Sequence, residues 1–236
     1  AAATAADFLR DADVSALLEA DAAAAVPTFW SPTFDTETLP QRPSDAIAAG
    51  EQHAVPVLLS TTHDEGAFFV GPIFGAAPLD DTTLGQLLAA ADPDAAAEAI
   101  ATYSAEESAN RAWASIVSDR AFSCPAIETA GALASRSDVY VAEFSDSTAP
   151  NVLSILPEDL AGTATHGSDV PYVLDLSPGQ PSLDAQQADV AEALRASWVA
   201  FAASGDPSTE DFTWGAVADD AAATSVTSTG LTATSI

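Results

Sequence analysis

The chain has 236 residues, 48% of them hydrophobic, and a formal net charge of -29 from 35 acidic and 6 basic side chains. That length and apolar content allow one large domain or a piece of a larger one, and they exclude a disordered tail. A field of this sign excludes nucleic acid and anionic membrane surfaces as partners.

The basic residues are all Arg, Lys is absent, and charged residues make up 17% of the chain, below the roughly 25% of ordinary domains. Missing bases, more than extra acids, create the charge. The pattern fits a protein made for salty or extracellular conditions, and a drift toward Ala and Asp codons accounts for it equally well. No apolar run approaches the roughly 18 residues of a membrane span, and the N-terminus lacks the basic-then-apolar pattern of a signal peptide. With no Met anywhere, the expectation is a processed chain, or one that begins partway through a longer protein with any signal peptide upstream. The one cysteine, Cys124 in FSCPAIE, has no internal disulfide partner and is expected to be a buried, inert thiol.

In chain order, residues 5 to 25 predict an Ala-rich helix with Phe8, Leu9, Val14, Leu17 and Leu18 on one side. A proline-punctuated loop follows, with Pro27, Pro32, Pro40, Pro43 and Pro56. AVPVLLS is a short apolar run bounded by proline, the pattern of a buried strand. Residues 83 to 135 read as mainly helical. Ser104 with Glu107 predicts a capping box opening a helix that carries Trp113, Ile116 and Val117. DVYVAEFS, residues 138 to 145, is a second strand. Residues 184 to 204 predict a long helix: Asp184 and Gln187 open it, Val190, Leu194, Trp198 and Phe201 recur at helical spacing, and Gly205 and Pro207 stop it. The tail TSVTSTGLTATSI alternates around a glycine turn and predicts a hairpin. Strands interleaved with helices define an α/β protein. Two buried strands and a hairpin form only one flank of a sheet, so its other strands are expected elsewhere.

In open α/β sheets ligands sit at the carboxyl ends of the strands. There AVPVLLS runs into His63, Asp64 and Glu65, followed by Gly66, Phe68 and Phe69. A second chemistry-bearing loop, GTATHGSDVPYVLDL, places His166 between two glycines, Gly162 and Gly167, with Asp169 close by. A lone histidine in such a loop is more often a surface or satisfied core residue, and His53 in GEQHAVP is expected to face solvent. A metal site is not indicated: consecutive residues in a turn diverge, there is no HExxH or spaced Cys/His set, and Asp80-Asp81 and Asp219-Asp220 lack the spacing of a calcium loop. A nucleophile elbow, G-x-S-x-G, is absent; the one pair of glycines at that spacing, Gly71 and Gly75, flanks Ile73.

Taken together the two loops resemble a known family. VPVLLSTTHDEGAFF resembles the segment of type-B carboxylesterases, the cholinesterase and p-nitrobenzyl esterase family, in which a strand ends in a D-E-G turn. THGSDVPYVLDL resembles that family's H-G-x-E-x-x-Y-V-F segment. FWSPTFDTETLP, RAFSCPA and SWVAFAASGDPS followed by Trp214 resemble further family motifs in the same order, so the likeness covers nearly all of residues 5 to 215. The chain departs from the pattern at Asp35-Thr36 (Asp-Gly in the family), at Thr61-Thr62-His63 before D-E-G, and at Asp169 in the position of a Glu.

The resemblance implies an α/β-hydrolase fold, with residues 1–236 forming the C-terminal portion of a single domain. It implies a Ser-Glu-His triad in which Glu65 is the acid and His166 the base, with no cofactor. It places Phe68, Phe69 and Trp30 near the substrate, with Phe29, Thr28 and Val26 beside the acyl pocket. His63 is expected to be a bystander and Asp64 to shape the turn. The nucleophilic serine and oxyanion hole would come from an N-terminal portion, as a separate chain or processed fragment, and the substrate would be a small carboxylic ester. A different class of function, a non-catalytic esterase-like adhesion or binding module, is the alternative, because such relatives commonly lose triad members.

Overall fold

The structure, a computed structural model, describes residues 2–23, 32–75, 79–151, 156–174, 182–217 and 222–235. The chain divides into two compact units, Ala1–Pro43 and Ser44–Ile236. In the first unit the predicted single helix is two, α1 (Ala2–Asp11) and α2 (Val14–Ala22). The break has a local cause: the Asp13 carboxylate accepts hydrogen bonds from the Ser15 backbone N–H at 2.8 Å and from its hydroxyl at 2.6 Å, which caps a new helix start. Phe8, Leu9, Val14, Leu17 and Leu18 are exposed. Further on, the Arg42 guanidinium lies 4.9 Å from the centre of the Phe34 ring.

Next in the chain comes α3 (Pro43–Ala48), a short helix inside the predicted loop that begins on a proline. Among its described residues the second unit is built on four strands: β1 (Val57–Thr62), β2 (Val139–Phe144), β3 (Ala222–Thr227) and β4 (Gly230–Ser235), adjacent in that order. β1 and β2 pair in parallel from Val57 with Val139 to Thr62 with Phe144. β3 continues the parallel sheet beside β2, and β4 returns antiparallel as the hairpin. Between β1 and β2 run α4 (Ala67–Phe74), α5 (Asp81–Ala91), α6 (Ala96–Thr102), α7 (Ala109–Ser118), a π-helical turn (Asp119–Ser123) and α8 (Cys124–Ala134). After β2 come α9 (Val170–Val173) and α10 (Ala185–Ser204).

β2 shows why its sequence is apolar at nearly every position: it is covered on both faces. Val139 and Val141 pack with Ala130 and Leu133 of α8 and with Val217 and Ala223. Tyr140 and Ala142 turn the other way, toward Trp198, Phe201 and Trp214. Phe144 joins Tyr172, Val190, Ala191 and Leu194 beneath α10. β1 is only half-buried along Val57, Leu58 and Leu59, and among the described residues it pairs with β2 alone.

Two local expectations are corrected. Ser104 opens no capping box; its hydroxyl donates back to the Ala101 carbonyl, and α7 is capped instead by Ser108, whose hydroxyl accepts the Arg111 N–H at 3.2 Å. Cys124, the first residue of α8, is exposed rather than buried. His53 is exposed as expected.

Candidate active site

Two turns meet at the carboxyl edge of the sheet. The first leaves β1 at Thr62 and passes through Gly66 into α4. Gly66 is required by proximity rather than by a left-handed backbone: its N–H donates to the Ser118 hydroxyl at 2.9 Å, and a Cβ would stand 2.0 Å from the Ala114 carbonyl oxygen. The turn is thus pressed onto α7, which fixes the direction in which Glu65 projects. Glu65 is 5% exposed. One of its oxygens, Oε1, accepts the Thr62 N–H at 2.8 Å; the other, Oε2, meets Nδ1 of His166.

The second turn carries His166 between Thr165 and the left-handed Gly167, φ 79°. Asp64 binds the two turns together. Its backbone N–H donates to the Ala164 carbonyl at 3.0 Å, and its carboxylate accepts the Ala164 N–H at 2.9 Å, with a parallel bridge to Thr165. The expectation that Asp64 shapes the turn therefore has a specific form: it splices the acid-bearing loop to the histidine loop. Asp169 is close enough to Glu65 and His166 to feel their charges. Burial, with the nearby Glu65 charge, holds its carboxyl above the usual range.

The imidazole of His166 is 42% exposed and has aromatic neighbours. Phe68, Phe69 and Phe122 have ring centres 5.4, 5.8 and 5.7 Å from it. Phe122 lies in the RAFSCPA motif, but nothing in the sequence marks it as a site residue. It rides on the π-helical turn, where the Cys124 N–H reaches back to the Asp119 carbonyl; such turns recur at functional sites because they rotate one residue off the helical register. Trp30, with Phe29, Thr28 and Val26, lies outside the described residues.

His63 takes no part in this pairing. Its Nδ1 stands 3.2 Å from Oε1 of Glu143, whose other oxygen accepts the Ser145 hydroxyl at 3.1 Å. The Glu143 hydrogen bond, helped by the Asp64 charge and opposed by burial, pushes the imidazole up to about 9, so His63 is a cation at neutral pH. The same contact holds the Glu143 carboxyl below its usual value. Among the described residues, no group of three or more His, Cys, Asp or Glu side chains could hold a metal ion.

A mostly parallel sheet flanked by helices, with a buried carboxylate and a histidine on loops at its carboxyl edge, is the architecture of the α/β hydrolases. Solved structures agree: a PNB esterase aligns with a TM-score of 0.73 at 22% identity over 97% of this chain, and a thermophilic PNB esterase with 0.69 at 23% over 97%. Each match spans 47% of the other chain. The carboxylesterase family model matches residues 1–235, and the chain belongs to that family. Among curated relatives, the para-nitrobenzyl esterase of Bacillus subtilis is 26% identical over 197 residues, 79% of this chain and 37% of its own length. The phenmedipham hydrolase of Pseudarthrobacter oxydans is 26% identical over 191 residues, 77% of this chain and 36% of its own. The chain thus spans little more than a third of the length of these relatives.

Proposed function

We propose that this chain supplies the acid and base of a serine carboxylesterase. The observation that carries the reading is the Glu65–His166 pair: a buried carboxylate on Nδ1, with its second oxygen occupied by a backbone N–H. That arrangement fixes the tautomer, leaving Nε2 to take the proton from a serine hydroxyl and return it to the departing alcohol. Glu65 then stabilises the imidazolium without itself becoming protonated. Phe68 and Phe69 would line the space for a small carboxylic ester.

The serine and the oxyanion hole would come from an N-terminal portion, covalently continuous or separate. The half-buried β1 supports this, since a parallel strand is ordinarily covered on both faces and flanked by neighbours. The missing portion would continue the sheet from that edge. The charge of -29 supports work outside the cell or in a salty medium.

In the assembled protein, His166→Ala should abolish ester hydrolysis, and Glu65→Gln should lower kcat by about 10³–10⁴-fold with the fold retained. Asp64→Asn can still accept the Ala164 N–H and should retain most activity. A fully active Glu65→Gln beside a dead Asp64→Asn would assign the acid to the wrong residue. A fluorophosphonate probe should label the N-terminal portion and not this chain; no labelling of the assembled, folded protein would favour the non-catalytic module. If the isolated 236 residues were soluble, monomeric and folded, the need for a companion portion would be refuted.

A further inference from the structure

Outside the Glu65–His166 pair, the described residues contain another buried carboxylate, one held by neutral hydrogen-bond donors. Asp146 lies two residues past the end of β2 and is 1% exposed. One oxygen accepts the Thr148 N–H at 2.9 Å and its hydroxyl at 2.6 Å. The other accepts the Tyr172 hydroxyl and, at 3.3 Å, the Gln187 side-chain amide. Burial works against the charge on this group, but the hydrogen bonds outweigh it and hold the carboxyl below its usual value. Tyr172 is fully buried, and burial together with Asp146 keeps its phenol protonated far above the ordinary range.

These contacts matter because of where Tyr172 stands. It is on α9, directly after the histidine turn. Between Ala164 and Tyr172 the turn's own backbone bonds are local: Ser168 to Thr165 at 2.9 Å, Val170 to Gly167 at 3.2 Å, Tyr172 to Asp169 at 2.9 Å. Bonds of that kind give a turn its shape but not its position on the sheet. Position comes from the ends. Upstream, Asp64 ties Ala164 to the exit of β1; downstream, Asp146 ties Tyr172 to the exit of β2, and Arg195 of α10 donates to the Tyr172 carbonyl at 3.0 Å. An ionised acceptor gives shorter and stiffer bonds than an amide would, which suits a clamp better than a simple space-filler.

We propose that Asp146 and Tyr172 are positioning residues, a clamp that sets His166 against Glu65 by anchoring the far end of its turn to β2. This rests on the reading of Glu65 and His166 as the catalytic pair. Neither Asp146 nor Tyr172 touches the reacting atoms.

The test compares Tyr172→Phe and Asp146→Asn with Ser197→Ala, which removes a buried hydrogen bond from Trp214 at 3.1 Å in another part of α10. All are made in the protein expressed together with its nucleophile-bearing portion. The first readout is the far-downfield proton resonance of the His166 Nδ1–H held by Glu65; the second is steady-state kinetics. The clamp predicts that Tyr172→Phe and Asp146→Asn broaden or shift that resonance and lower kcat about ten- to a hundredfold with KM unchanged, while Ser197→Ala lowers the melting temperature and leaves both readouts alone. If Tyr172→Phe loses stability like Ser197→Ala but keeps the wild-type resonance and kcat, the clamp is only structural and the proposal is overturned. If the wild type shows no such resonance and Glu65→Gln is fully active, the catalytic pair itself fails, and the clamp with it.

Discussion

His63 and Glu65 lie two residues apart and have opposite fates. Glu65 is buried and held on both oxygens; His63 is 60% exposed and ion-paired with Glu143. The pH dependence of that ion pair follows from two shifts of opposite sign. His63 is raised from 6.5 to about 9, so its contribution is complete below 6.5 and fades as pH climbs toward 9. Glu143 is lowered from 4.5, so its contribution is complete above 4.5 and fades as pH falls below it. The pair therefore stabilises most between 4.5 and 6.5. Solvent screening keeps its worth under about 1 kcal/mol. With three histidines in the chain, ring resonances can be followed separately by NMR. His63 should titrate near 9, and Glu143→Gln should bring it back toward 6.5; a wild-type midpoint already near 6.5 would show that the pair does not form in solution. At this scale the triad candidates were legible only through their motifs. Asp64, Glu65 and His63 are adjacent in the chain, and nothing in their spacing tells which one faces a loop about a hundred residues on. Phe122 and Asp146 were less legible still: one depends on the π-helical turn, the other on hydrogen bonds to Tyr172 and Gln187, far along the chain.

Among the elements, α10 was the most readable. Asp184 accepts the Gln187 N–H at 2.9 Å, the Gln187 side chain accepts the Asp184 N–H at 3.0 Å, and Gly205 closes the helix in the left-handed region at φ 81°. Gln187 also reaches Asp146 and Thr148, so the capping box is joined to the clamp. Asp184→Ala should cost about 1 kcal/mol, visible as a lower melting temperature with little change in KM. A loss within error would mean that packing of Val190 and Leu194 alone orders the first turn. The Ser104–Glu107 expectation failed for a reason of the same kind. A capping box is a local pattern, and S-x-x-E also occurs where a serine closes one helix and another, Ser108, opens the next. There the neighbouring Asp159 carboxylate accepts the Ser108 hydroxyl at 2.6 Å, a tertiary contact that favours the later start.

For the whole molecule, charge and the open sheet dominate. With -29 net charges on 236 residues, self-repulsion opposes the compact state at low ionic strength. Raising NaCl from about 10 mM to about 1 M shrinks the screening length from roughly 30 Å to 3 Å. The melting temperature should rise over that interval, and a fall would mean that specific ion pairs outweigh the general repulsion. The sheet was partly legible. The apolar runs at AVPVLLS and DVYVAEFS became β1 and β2, and the terminal hairpin formed. What could not be read was that β3 joins β2 in parallel and that β1 stands beside β2 across the intervening helices, because pairing partners of a parallel strand are separated by whole crossovers and leave no local trace.

The sequence by itself determined the elements whose causes are local: the stop at Gly205, the cap at Asp184, the doubly buried run of β2, and the motifs that place the chain among carboxylesterases. Only the tertiary structure decided that Asp64 splices the acid-bearing loop to the histidine loop, that His63 pairs with Glu143, and that Cys124 is exposed while Asp146 is buried. Those outcomes rest on contacts between residues distant in the chain. Their energies depend on burial and on hydrogen-bond partners that exist only once the sheet has brought the loop ends together.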